Sequence, residues 1–221
     1  MKPITPPDPA RAALTLDGRR LSYLGSGGPG HPLLALHGHF SEGRTFAPLA
    51  RALFPHWRAV APDQRGHGFS DRGPDFSREG CIADATALLT HLGLERPVVL
   101  GHSLGGVNAY QLAARHPGLV RALVIEDIGT EIDDDLSFCP SWPHRAPTRT
   151  ALTEQLGDSA RYPLLIHGTR SDTLTEAHAK ELASRRPHTS LAQLPTGHTV
   201  HETAPDGFAA TVSAFLDTLK G

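Results

Sequence analysis

The chain has 221 residues, 39% of them hydrophobic and 20% charged, with a formal net charge of −2. That length suits one globular domain, residues 1–221, able to bury roughly 70 to 75% of its unfolded surface, while so small a charge gives no basic field for nucleic acid or an anionic membrane. No run of about 18 apolar residues is present to span a bilayer, and residues 1–9 lack the apolar stretch of a secretory signal, so a cytoplasmic protein is expected, with Cys81 and Cys139 as free thiols.

The opening reads as a hairpin: residues 13–16 and 20–24 flank Asp17-Gly18-Arg19. The cluster Gly25-Ser26-Gly27-Gly28-Pro29-Gly30 that follows is a turn; it lacks the lysine and the following helix of a phosphate-binding loop. Strands are expected at 32–36, 57–62, 97–101, 120–125, 163–167 and 190–194. Most are apolar throughout, as strands covered on both faces are. Ile82, Ala85, Leu89 and Leu92 fall at helical spacing, as do Phe208, Val212, Phe215 and Leu219. Pro205 sits where a first helical turn tolerates it, and Gly118 marks the stop of the helix after Ser103. Strands alternating with helices predict an α/β fold with a mostly parallel central sheet. Between Ile128 and about Arg161 the rhythm breaks, with the acidic run Glu131-Ile132-Asp133-Asp134-Asp135 read as a solvated loop.

Chemistry concentrates after the strand at 97–101. Gly101-His102-Ser103-Leu104-Gly105-Gly106 is a G-x-S-x-G pattern, which presents a serine on a strained strand-to-helix turn; small residues at 101 and 105 let strand and helix pass closely. Serine is a weak nucleophile until a histidine takes its proton and a carboxylate orients that histidine. The candidates are Asp172, in Gly168-Thr169-Arg170-Ser171-Asp172, and His198, in Pro195-Thr196-Gly197-His198. Asp127, closing the strand at 120–125, is the rival acid, with Asp172 preferred. His102 is read as a packed residue. The spacing of His37 and His39 would suit a metal, but no further ligands stand at matching distance, so neither metal nor cofactor is expected.

These motifs, with His37-Gly38 and the run Asp63-Gln64-Arg65-Gly66-His67-Gly68-Phe69-Ser70-Asp71, resemble the α/β-hydrolase fold superfamily in its serine-hydrolase branch of esterases, cofactor-free haloperoxidase-like enzymes and C–C bond hydrolases. The resemblance implies that Ser103 is the nucleophile, His198 general base then acid, and Asp172 the orienting acid. It further implies an oxyanion hole made by the backbone N–H groups of His39 and Leu104, and a structural role for Asp63, Arg65, Gly66 and Gly68. The fold implied has an N-terminal hairpin and a reduced cap, residues 129–160, too short for the usual helical lid. The site is then open, suited to a bulky acyl substrate or to a pocket completed by a second subunit in a homodimer. The activity implied is cleavage of a carboxylic ester, lactone or thioester through an acyl-enzyme, on a small-molecule or acyl-carrier-linked substrate and without a cofactor. Alternatives are the same triad serving a C–C bond hydrolase, lyase or cyclase, and a non-catalytic ligand-binding receptor of this fold.

Overall fold

The structure, a computed structural model, describes residues 6–73, 75–116, 118–128, 164–185 and 189–219. Strands β1 (Ala10–Leu16) and β2 (Arg19–Gly25) form the N-terminal hairpin, and β3 (His31–Leu36), β4 (Trp57–Pro62), β5 (Val98–His102), β6 (Ala122–Glu126), β7 (Leu164–Gly168) and β8 (Ser190–Leu194) follow. The helices are α1 (Ala47–Leu53), α2 (Arg78–His91), α3 (Leu104–Arg115), α4 (Glu176–Arg185), α5 (Val200–Thr203) and α6 (Pro205–Asp217).

The eight strands make one sheet in the order β1-β2-β4-β3-β5-β6-β7-β8. The hairpin pairs antiparallel within itself and onto β4, and every other pairing is parallel. This is the mostly parallel α/β sheet with an N-terminal hairpin that the sequence predicts. Strands β5, β6 and β7 are buried at every residue, which explains why their sequences are apolar without alternation. One face packs Leu34, Val99, Leu123 and Ile125 under α2 and α3 through Leu88, Leu89, Val107 and Leu112. The other packs Leu33, Leu100, Val124 and Ile166 under α1 and α6 through Leu49, Leu53, Phe208 and Val212. Parallel strands put their C-terminal ends on one edge of the sheet, where crevices for ligands form. The ends of β3, β5 and β6 and the segment after β8 meet there.

The segment expected as a reduced cap, residues 129–160, lies outside the described residues, and Cys139 lies with it. Cys81 is buried in α2 as a free thiol, and burial pushes it up to about 11, which leaves it inert. Among the described residues no helix is long and apolar enough to cross a membrane.

Candidate active site

Ser103 stands between β5 and α3 with φ 50° and ψ −118°, a conformation that costs a non-glycine residue energy and persists only where the surroundings enforce it. The enforcement is steric. A Cβ on Gly105 would lie 2.0 Å from the Leu36 carbonyl oxygen, so only glycine lets α3 start this close to β3. A Cβ on Gly101 would lie 2.3 Å from the Gly105 carbonyl oxygen, so each glycine flanking the serine answers a close approach, as expected from the motif.

The loop after β3 presses on the same turn. A Cβ on Gly38 would sit 2.5 Å from His102 Nδ1 and 3.2 Å from Ser103 Cβ. His37, just before it, donates from Nδ1 to the Gly38 carbonyl (2.7 Å) and accepts the Gln64 backbone N–H at Nε2 (2.9 Å). Both ring nitrogens of His37 are therefore engaged, and burial lowers its pKa to about 4, so it is a neutral structural ring. Gln64 also donates from Nε2 to the His37 carbonyl (2.6 Å) and accepts from Asn108 Nδ2 on α3 (2.7 Å). This buried network ties the loops after β3 and β4 to the helix that follows Ser103. His39, the next residue, is half-buried with its pKa lowered, first by desolvation and then by His67. Leu104 is the first residue of α3, where backbone N–H groups have no intrahelical acceptor.

The polar run after β4 is structural, as its resemblance implied. Asp63 accepts the Gly43 N–H (2.9 Å), the Phe69 N–H (3.1 Å) and the guanidinium of Arg11. Arg65 makes a two-point bond to Asp84 (2.9 and 2.8 Å) and donates to the Gly80 carbonyl (2.6 Å). A Cβ on Gly68 would lie 2.6 Å from the Asp63 carboxyl carbon.

His198 follows β8, and its Nδ1 lies 2.9 Å from Asp127 Oδ2. A carboxylate only accepts, so Nδ1 carries the proton and Nε2 keeps its lone pair. Asp127 is fully buried with φ 49°, directly after β6, and its Oδ1 accepts the Gly168 N–H at 2.9 Å. Ser171 donates its hydroxyl to Asp127 Oδ2 as well. The expectation that Asp172 holds this histidine is corrected: Asp172 is exposed, and the carboxylate at His198 is that of Asp127. The physical reason lies in the turn after β7. There Ser171, not Asp172, points its oxygen inward, where it also accepts the Thr173 N–H (3.1 Å).

His102 joins nucleophile turn and histidine loop. Its Nε2–H donates to the His198 carbonyl at 3.0 Å, and the two rings stand 4.6 Å apart. Burial holds its pKa near 4, so no positive charge stands beside His198 at neutral pH. Ser103 Oγ and His198 Nε2 are not hydrogen-bonded in this structure, and His198 keeps 28% of its side chain exposed. Such bonds are often long without substrate and tighten on its arrival. The structure thus brings Ser103, His198, Asp127, Gly38 and the start of α3 to one place and leaves Asp172 outside. Sequence reading missed Gln64, Ser171, Glu126 and His201 as parts of this assembly. The pair Glu126-Asp127 at a strand end was the one available signal.

A family profile described as alpha/beta hydrolase fold matches residues 31–162. The N-formylmaleamate deformylase of Pseudomonas putida strain KT2440 is 26% identical over 92% of this chain and 95% of its own length. The sn-1-specific diacylglycerol lipase of Mus musculus is 40% identical over 98 residues, which are 43% of this chain and 32% of the lipase. An alpha/beta hydrolase from Novosphingobium aromaticivorans superposes with a TM-score of 0.80 at 24% identity, over 95% of this chain and 98% of that one.

Proposed function

The chain belongs to the α/β-hydrolase fold family, and on that ground we propose that it is a serine hydrolase working through an acyl-enzyme. The observation that carries this reading is the bond between buried Asp127 and half-buried His198 at the strained Ser103 turn. Asp127 fixes the imidazole with Nε2 bare, so Nε2 takes the Ser103 proton as Oγ attacks an acyl carbon. The backbone N–H groups of His39 and Leu104 receive the oxyanion; one such donor is commonly worth about 3 to 4 kcal/mol in the transition state. Desolvation first, and then His67, lower the pKa of the His39 imidazole, so the group offered to the oxyanion is its backbone N–H rather than a charged ring. His198 then protonates the leaving group, and water repeats the sequence to free the acid.

The substrate class proposed is a carboxylic ester, lactone or thioester. A second reading is hydrolysis of an N-acyl bond, favoured by the likeness over nearly full length to a deformylase. Both use one triad and differ in the leaving group. Graded aryl esters, lactones, thioesters and N-formyl or N-acetyl amides, offered to wild type and Ser103→Ala, separate them. Wild-type turnover with at least a thousandfold loss in Ser103→Ala supports the hydrolase. Unchanged turnover in that variant overturns it, and thermal stabilisation by a compound that is never cleaved points instead to a receptor.

A further inference from the structure

Asp127 is not the only acid that β6 delivers to the histidine loop. Glu126, fully buried, accepts the His201 backbone N–H at 2.8 Å, and His201 Nδ1 lies 2.8 Å from both Oε1 and Oε2. Two consecutive carboxylates thus hold two imidazoles three residues apart. The His201 ring stacks on Phe46 (4.4 Å, 20°) and stands 5.8 Å from Phe208 and 5.1 Å from His102. The backbone carbonyl of Glu126 also accepts the Ser103 N–H at 3.3 Å. Glu126 therefore touches the nucleophile turn with its main chain and the histidine segment with its side chain.

Burying a carboxylate and an imidazole this completely gives little net stability, because desolvation offsets most of their attraction. Apolar residues would fill the space as well. Helix α5, by contrast, is a single turn of four residues, and one turn has almost no stability of its own. His198 precedes it by two positions, in a segment without regular structure. We propose that Glu126 and His201 are positioning residues: their buried pair pins α5 to the end of β6, so that the His198 ring keeps its bond to Asp127 beside the nucleophile turn. His102 completes the tie by holding the His198 carbonyl. Misplacement of a catalytic group by about 1 Å costs on the order of a hundredfold in rate.

This inference rests on the serine-hydrolase reading, and the test keeps the two apart. Phosphonylation of Ser103 by an aryl fluorophosphonate is followed over a range of probe concentrations to give kinact and KI. It is measured for wild type, His201→Phe, which keeps a ring but no donor, His201→Asn, which restores a donor near Nδ1, and Glu126→Met, which keeps the length but removes the acceptor. Thermal melts and near-ultraviolet circular dichroism report folding. The proton NMR resonance of His198 Nδ1–H reports the bond to Asp127 without any reaction. In His201→Phe, kinact should fall 10- to 100-fold with KI within twofold, and the resonance should be lost; His201→Asn should return kinact to within threefold. Folded His201→Phe and Glu126→Met with kinact within twofold of wild type overturn the proposal. So does an asparagine variant that regains stability but not kinact. If His201→Phe does not fold, Glu126→Met and His201→Asn decide by the same criteria. If wild type itself is not labelled, the hydrolase reading falls, and the resonance alone decides: retained in folded Glu126→Met or His201→Phe, it sinks the positioning role; lost, it upholds it.

Discussion

Asp127 meets three donors at one buried carboxylate: the Gly168 N–H, the Ser171 hydroxyl and His198 Nδ1. Replacing it with asparagine keeps the shape but puts an amide where an acceptor is needed, which favours the wrong imidazole tautomer. Asp127→Asn should lower kcat by about 10³- to 10⁴-fold, whereas exposed Asp172→Asn should stay within about threefold, measured on whichever ester wild type turns over. Ser171→Ala, which removes one of the three donors, should cost about tenfold. The Ser103 turn is legible in the sequence because its strained backbone demands glycines at set positions, and His198 is legible only by its place after the last strand. The acid is not. Which of Ser171 and Asp172 points inward depends on one residue's rotation in a turn that has no period, and the positive φ of Asp127 leaves no trace in composition.

The junction of β5 and α3 shows how closely two elements approach when a side chain is absent. A methyl group on Gly105 would lie 2.0 Å from the Leu36 carbonyl oxygen, a backbone atom that no rotamer change can move aside. Gly105→Ala should therefore destabilise the fold by about 3 kcal/mol or more, read from urea midpoints, with activity lost even in the folded fraction. Strands β4 and β8 fall where their apolar runs predicted, 57–62 and 190–194; the other expected strands lie within two residues of their limits, except β1, which starts at Ala10, three residues before the expected 13. Buried parallel strands are easy to read because both faces demand apolar residues. Helix α5 escaped prediction for the opposite reason: four residues are too few to display helical spacing, and its place is set by contacts with Glu126 and Phe46 that are distant in the chain.

The assembled domain carries two histidines that folding keeps uncharged. Burial holds His37 and His102 near pKa 4, against about 6.5 in an unfolded chain. Between those values the unfolded chain binds protons that the folded one refuses, so stability is full above pH 6.5 and declines as pH falls toward 4. Each contributes on the order of 2 kcal/mol of loss between pH 7 and pH 5. Urea unfolding at the two pH values should show this drop, and His102→Gln, whose amide can still donate to the His198 carbonyl, should shrink it by about that amount. A wild-type stability unchanged between pH 7 and pH 5 would contradict the neutral assignment of both rings.

With the carboxylate that meets His198 seated at the tip of β6, the turn between β7 and α4 adds one hydroxyl to it, that of Ser171. Asp172 and Thr173 are open to solvent, and the Thr173 backbone N–H holds the Ser171 hydroxyl oxygen. The Asp172 side chain is consequently a port for engineering: a fluorophore attached through Asp172→Cys would ride beside the histidine loop with the backbone of the bend unchanged, and its emission would track ligand occupancy in real time.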